Sequence, residues 1–287
     1  MSQVIVSGII TGSLYALAAL GLVLIFKTSD VVNFAQGEMA MFCTFIAYTF
    51  MTFLGLPYYI AFPLTIVCAG ILGVIVYRLI IKPLSKSNVL SIMIATLGLI
   101  MILNGLAGNI FGFETKSFPK LINAKNINIL GVSLEPNSLL IVLITFAIML
   151  TLFFYFKTME GIAIRAVAQD VDAAKLMGIS VKRVTVTTWI ISSMLAATAG
   201  MLIAPTTFLD INMMSEVHLK SFCAAVLGGF NTFVGPAVGG VLIGILENLV
   251  GKYISLAWKT VFAFILIIVM LVVRPNGLCG KSYRRKV

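Results

Sequence analysis

The sequence predicts an all-α, polytopic helical membrane protein of about eight transmembrane helices, with a broken or re-entrant segment in each half. Three observations carry that expectation. Only 10% of the 287 residues are charged, against 60% hydrophobic, and mean hydropathy is +1.10. Soluble domains carry about 25% charged residues, so this chain cannot cover a water-facing surface. The apolar runs are about 20 residues long, as a helix crossing a ~30 Å hydrocarbon core requires. A β-barrel would show ~10-residue alternating segments instead. Between the runs, Lys and Arg gather in some loops and are diluted by acids in others, the pattern that orients membrane helices.

The runs fall at residues 4–26, 39–54, 59–81, 89–111, 138–156, 184–208, 217–250 and 255–273. They form one transmembrane domain over 1–287, with a polar cytoplasmic loop at 157–183 and a basic cytoplasmic tail at 274–287. The opening Met-Ser-Gln has no basic residue and its apolar run is long, so the first helix is expected to remain as an anchor. Arg78, Lys82 and Lys86 flank an acid-free loop, which the charge rule puts in the cytoplasm. The loop at 112–137 mixes Lys116, Lys120 and Lys125 with Glu114 and Glu135 and is expected outside. Arg274, Lys281, Arg284, Arg285 and Lys286 put the tail inside. That orientation requires the 217–250 run to cross twice, turning at GGFNTFVGP (228–236).

Net charge is +10. Because the basic residues border apolar spans, orientation explains them and nucleic acid is not expected as a partner; membrane lipid is. Cys43, Cys68, Cys223 and Cys279 have no metal-like spacing and read as buried free thiols. His218 is the sole histidine, so no histidine-based metal site is expected. No span shows paired acids or a nucleophile beside a base, so no catalytic residues are expected.

Gly8, Gly12 and Ala16, then Gly108 and Gly112, Gly235 and Gly239, and Gly240 and Gly244 repeat every four residues. In lipid, such ladders let helix backbones approach closely. KTSDVVNFAQGE (27–38) and the 228–236 turn each adjoin a shortened helix. Paired interruptions in two halves point to a midplane pathway. Candidate path residues are Asn33, Gln36, Gly37 and Glu38 in the first break, and Gly228, Gly229 and Asn231 in the second. The alternative is that Asn33 and Gln36 satisfy the broken backbone while Glu38 caps the next helix. Glu247 is the acid deepest in a span and reads as one half of a near-interface pair with Lys252. Asp210, Glu216 and His218 are expected in an external connector.

Residues 157–183 hold eight of the thirty charges. A capped amphipathic helix is expected there. Glu160 suits its positive end, Lys175 its last turn, and Gly178 its left-handed cap. Ala163, Val167, Val171 and Ala174 form an apolar stripe; Arg165, Gln169 and Asp172 form a polar one. Such a helix could lie on lipid, pack on its own protein, or enter a groove on a partner.

GIAIRAVAQDVDAAKLMG (161–178) closely resembles the cytoplasmic coupling segment of permease subunits in bacterial branched-chain amino acid ABC importers. GLVLIF with DVVNFAQGEMAM (21–41) resembles that family's N-terminal motif. AAVLGGFNTFVGPAVGGVLIGILENL (224–249) resembles its C-terminal one. The order and total length fit the H-type subunit better than the M-type. Urea and short-amide importers share this architecture, so they remain an alternative; a stand-alone secondary carrier is a further one.

The resemblance implies a homologous M-type permease partner, two cytoplasmic ATPase subunits and an extracytoplasmic amino acid-binding protein, in the bacterial inner membrane. It also implies that Glu160, Gly161, Arg165, Gln169, Asp170, Asp172, Lys175 and Gly178 form the ATPase-coupling surface. The chain has no Gly-x-x-x-x-Gly-Lys-Ser/Thr loop. No cofactor is therefore expected on it, and ATP and Mg would bind the partners.

Overall fold

A computed structural model describes residues 1–85, 87–122, 127–129, 132–274 and 276–280. Lys86, Lys125, Lys281, Arg284, Arg285 and Lys286, used above to orient the chain, lie outside the described residues. The helices, in order, are α1 (Ser2–Ser29), α2 (Gln36–Thr52), α3 (Tyr58–Val76), α4 (Lys82–Leu84) and α5 (Val89–Phe111). They continue as α6 (Pro136–Tyr155), α7 (Met159–Gln169), α8 (Val171–Leu176), α9 (Val181–Thr207), α10 (Ser215–Gly228), α11 (Gly235–Tyr253) and α12 (Trp258–Val273). A π-helical turn, Tyr77–Ile81, joins α3 to α4. Between α5 and α6 the described residues include a small antiparallel hairpin, β1 (Ile127–Ile129) and β2 (Val132–Leu134).

Among the described residues, five helices are long and apolar enough to cross a membrane: Ser2–Ser29, Tyr58–Leu84, Val89–Phe111, Pro136–Tyr155 and Val181–Thr207. The chain is thus a polytopic helical membrane protein. α2 and α12 have 17 and 16 residues. The most apolar windows of α5 and α6 are only 22% and 11% buried. In water such faces would drive aggregation; in a bilayer they meet lipid or another membrane helix.

The chain forms two compact units. One comprises residues 1–23, 122–146 and 217–287, the other 24–121 and 147–216. The second unit is organised around α9, which packs on α2 and α3. Its core gathers Ile25, Met39, Tyr77, Leu99 and Leu103 around a fully buried Trp189. Small residues let these helices close up: a Cβ on Gly73 would lie 2.7 Å from the Trp189 carbonyl oxygen. At one end of this unit the end of α1, the π-helical turn and the starts of α5 and α9 surround a common hollow. At the other, Lys116 and Leu209 exchange backbone hydrogen bonds of 2.9 and 2.8 Å.

The first unit rests on the contact of α1 with α11. A Cβ on Gly12 would sit 2.7 Å from Val241 Cα, and one on Gly240 would sit 2.6 Å from Ala16 Cα. Two of the expected ladders, Gly8–Gly12–Ala16 and Gly240–Gly244, therefore face each other. Gly239 fits against the Ala224 backbone, closing α10 on α11. The Gly108–Gly112 pair is different. Gly108 is covered by the Phe113 ring, and Gly112 ends α5 with φ 85° while its N–H bonds the Gly108 carbonyl at 3.0 Å. That spacing marks a helix end, not a helix–helix seam.

The 217–250 run is divided as expected, into α10 and α11. The carbonyls left at the end of α10 are taken up by the chain after α12. Leu278 N–H bonds Leu227 O at 2.8 Å, and Cys279 N–H bonds Gly228 O at 3.1 Å. The turn after α10 and the segment after α12 thus lie at the same end of this unit.

Candidate coupling and translocation sites

The 157–183 segment is two short helices rather than one. Thr158 caps α7, its hydroxyl accepting from Gly161 N–H at 3.3 Å. Glu160 braces the segment: Arg183 Nη2 of α9 donates to it at 3.1 Å and Tyr155 Oη of α6 at 3.3 Å. Gly161 lies so close to the Tyr155 and Phe156 backbone that a side chain there has no room. Ile164 and Val167 point inward and are buried.

At Asp170 the backbone turns extended, φ −157° and ψ 113°. Its carboxylate accepts from Asp172 N–H at 2.9 Å and Ala173 N–H at 3.0 Å, starting α8. A short acidic side chain competes with the helix for these amides, which is why Asp breaks helices and caps them. The expected continuous stripe through Ala163, Val167, Val171 and Ala174 is therefore corrected. The inward positions are Gly161, Ile164 and Val167 on α7, and Ala174 on α8.

Arg165 and Gln169 are exposed on α7, while Asp172 lies on α8, paired with Lys175 at 2.9 Å. Arg165 has no ion-pair or hydrogen-bond partner among the described residues. Gly178 takes the left-handed cap, φ 78°, with Ile179 N–H bonding Ala174 O at 3.0 Å. Met159, Leu176 and Met177 are 84%, 89% and 82% exposed. A groove of ≈ 310 Å³ runs between α7 and α9, lined by Met159, Glu160, Ile164, Ile179, Arg183 and Thr187.

The N-terminal break lies in the second unit. α1 ends at Ser29, and Asp30 takes a left-handed conformation, φ 52°. Asn33 Oδ1 accepts from Ala35 N–H at 3.1 Å, so Asn33 does satisfy the broken backbone. Gln36 Oε1 accepts from Ser192 Oγ at 3.3 Å. Gly37 and Glu38 are buried in the first turn of α2. Thr28 and Thr188 share a hydroxyl hydrogen bond of 3.0 Å. Between those contacts lies Trp189, whose Nε1 has no partner among the described residues. The sequence reading missed Thr28, Thr188 and Ser192. A signal was present: Thr185, Thr188 and Ser192 recur at three- and four-residue spacing, a polar stripe on α9.

The C-terminal break lies in the first unit. Gly228 packs against Gly235, and Gly229 is left-handed, φ 101°, close to Asn276 and Gly280. Asn231 is exposed in the turn.

Glu247 does not pair with Lys252. Lys220 Nζ of α10 donates to it at 2.7 Å and Tyr15 Oη of α1 at 2.9 Å. The paired side chains are 8% and 6% exposed. Lys252 lies over the Tyr253 ring at 5.7 Å. Asn248 donates to Thr11 Oγ1 and Gly244 O at 2.9 and 2.8 Å. A buried carboxylate needs a cation and further donors, and α1 and α10 supply both. Glu216 and His218 also leave the expected connector: both lie in α10, where His218 is buried. Among the described residues no cluster of three or more His, Cys, Asp or Glu could hold a metal.

The family described as branched-chain amino acid transport system, permease component, matches residues 4–271. The high-affinity branched-chain amino acid transport system permease protein LivH of Escherichia coli (strain K12) is 30% identical. That alignment covers 99% of this chain and 97% of LivH. The corresponding protein BraD of Pseudomonas aeruginosa is also 30% identical, with the same coverage. A probable LivH of Methanocaldococcus jannaschii is 30% identical over 99% of this chain and 94% of its own. Among solved structures, PsaBC from Streptococcus pneumoniae in complex with Fab superposes with a TM-score of 0.50. It is 16% identical and covers 96% of this chain and 92% of its own, a likeness of fold. The chain belongs to the family of permease components of branched-chain amino acid transport systems.

Proposed function

We propose that this chain is the H-type permease of an ATP-driven importer of branched-chain amino acids in the bacterial inner membrane, and that α7–α8 is its coupling surface. Permease components of this family are not catalytic, and ATP hydrolysis belongs to partner subunits. Two ATPases dock on the α7–α8 side. A homologous M-type permease completes the membrane pathway, and an extracytoplasmic binding protein delivers the amino acid. About eight crossings are made, with α10 as a shortened helix against α11. Its 14 residues reach only about 21 Å, short of a ~30 Å core.

One observation carries this reading. α7–α8 holds Met159, Leu176 and Met177 almost fully exposed, together with an exposed Arg165 that has no partner among the described residues, on helices capped at Thr158, Asp170 and Gly178. Exposed apolar side chains on a rigid, charged segment are what a docking surface presents. Glu160–Arg183 and the buried Ile164 and Val167 tie that surface to α9, so a push on α7 reaches the core. In the same reading Asn33, Gln36, Gly37 and Glu38 of the N-terminal break, and Gly228, Gly229 and Asn231 of the C-terminal one, are the candidate path residues.

The test is charge reversal at the surface. Arg165→Glu with Asp172→Lys should leave the chain in the membrane at normal abundance. It should reduce co-purification of the ATPases and lower leucine uptake about tenfold or more, the effect of losing roughly 1.4 kcal/mol at the interface. Unchanged uptake together with unchanged ATPase recovery would sink the coupling role.

A further inference from the structure

The hollow at the end of the second unit has a volume of ≈ 410 Å³ and is not used by the proposed coupling surface. Thr28 and Ser29 reach it from α1, Lys82 and Ser85 from α4 and its end, Lys182 and Thr185 from α9. It has four Ser and Thr hydroxyls, the Tyr77 phenol and two ammonium groups, and its described lining contains no Asp or Glu. Lys82 and Lys182 are exposed and form no ion pair among the described residues. α9, 27 residues long, begins at this wall, and Ser180 makes no side-chain cap. Its first amides add further donors at the positive end of a long helix.

The π-helical turn shapes the hollow. An extra residue per turn changes which side chains face inward. Here Tyr77 and Ile81 line the cavity and are buried, while Leu79 between them is 72% exposed. On α5, Ile92 closes the wall while Leu90 is 70% exposed. A donor-rich, carboxylate-free hollow thus opens at the charged ends of membrane spans, directly beside apolar surface. This combination fits an amphiphile with an oxygen-rich anionic head and hydrocarbon tails.

We infer that this hollow binds the phosphate of an anionic phospholipid, with the acyl chains lying along Leu79 and Leu90. The orientation proposed above serves only to name the leaflet, the one on the α7–α8 side; the chemistry does not depend on what the importer carries. The phosphate meets Lys82, Lys182 and the first amides of α9, the four Ser and Thr hydroxyls already donating to carbonyls of their own helices or turns, and Tyr77 closes the back.

The test uses the full-length protein purified in detergent with phosphatidylcholine and titrated with phosphatidylglycerol, bound lipid being counted by native mass spectrometry. Wild type should retain phosphatidylglycerol over phosphatidylcholine. Lys82→Gln and Lys182→Gln should each weaken retention about fivefold, and the pair about thirtyfold. Lys252→Gln, distant in sequence and in the other unit, should have no effect. The Lys82→Arg/Lys182→Arg variant should keep binding, which separates lost charge from a damaged fold. Inorganic phosphate should not displace the lipid. Displacement by inorganic phosphate at equal concentration would make this a free-anion site and overturn the lipid assignment. Equal phosphatidylglycerol retention by wild type and the double Gln variant would overturn the site itself.

Discussion

Lys220 and Glu247, 27 residues apart in sequence, meet at 2.7 Å inside the first unit, with Tyr15 completing the carboxylate's second oxygen at 2.9 Å. One contact joins α10 to α11 and the other joins α11 to α1. In a segment expected to lie in lipid, an isolated charge is expensive, so the pair specifies which helices must be neighbours.

Removing one partner should therefore cost more than removing both. Lys220→Met or Glu247→Gln alone should destabilise by about 3–5 kcal/mol. The double variant should recover part of that loss, giving a coupling of roughly 1–3 kcal/mol in a double-mutant cycle. Thermal unfolding of the detergent-purified protein measures it. Strict additivity would show that the ion pair does not hold these helices.

The α1–α11 seam makes a steric prediction. Gly12→Val must push α1 from Val241, and overpacking of this kind costs about 1–3 kcal/mol or more. Gly105→Ala on α5 has open space around its new methyl group and should be neutral or stabilising by up to about 1 kcal/mol. Thermal midpoints of the two variants should shift in opposite directions or by clearly different amounts. Equal losses would contradict the seam.

Asp170→Ala removes the acceptor that starts α8 and should cost about 1 kcal/mol. Asp170→Asn keeps an acceptor and should cost only a few tenths. Hydrogen exchange at the Asp172 and Ala173 amides reads this directly: faster in the Ala variant, near wild type in the Asn variant. No change at those amides in Asp170→Ala would remove the cap from the account of α7–α8.

Asn33→Ala leaves the buried Ala35 N–H without its acceptor and should destabilise by about 1–3 kcal/mol. Asn33→Asp preserves the acceptor. If Asn33 also borders the amino acid path, the Asp variant should fold normally yet alter the KM for uptake by adding a negative charge. Normal folding with unchanged KM and kcat would leave Asn33 a structural residue only.

The spans were legible because bilayer thickness imposes a length and a composition on any helix that crosses it, as in α5 and α6. Gly178 and the 228–236 turn were legible because a left-handed cap and a Gly/Pro break are local chemistry. The break at Asp170 was not. Ala163, Val167, Val171 and Ala174 suit an unbroken helix, and nothing in their spacing reports that a carboxylate takes the amides instead. The partner of Glu247 was hidden for another reason. Lys252 is near in sequence, whereas Lys220 is brought near only once α10 folds back on α11. The hollow at Lys82 and Lys182 likewise draws on five separate elements, and the π-helical turn that shapes it leaves no periodic trace.

The most direct measurement is leucine uptake into proteoliposomes holding this chain, its partner permease and the ATPases, with binding protein outside the permease's receiving face. Coupling through α7–α8 predicts uptake that requires ATP, survives collapse of ion gradients, and disappears when the ATPases are omitted. Uptake by this chain alone, driven by an ion gradient without ATP, would contradict it.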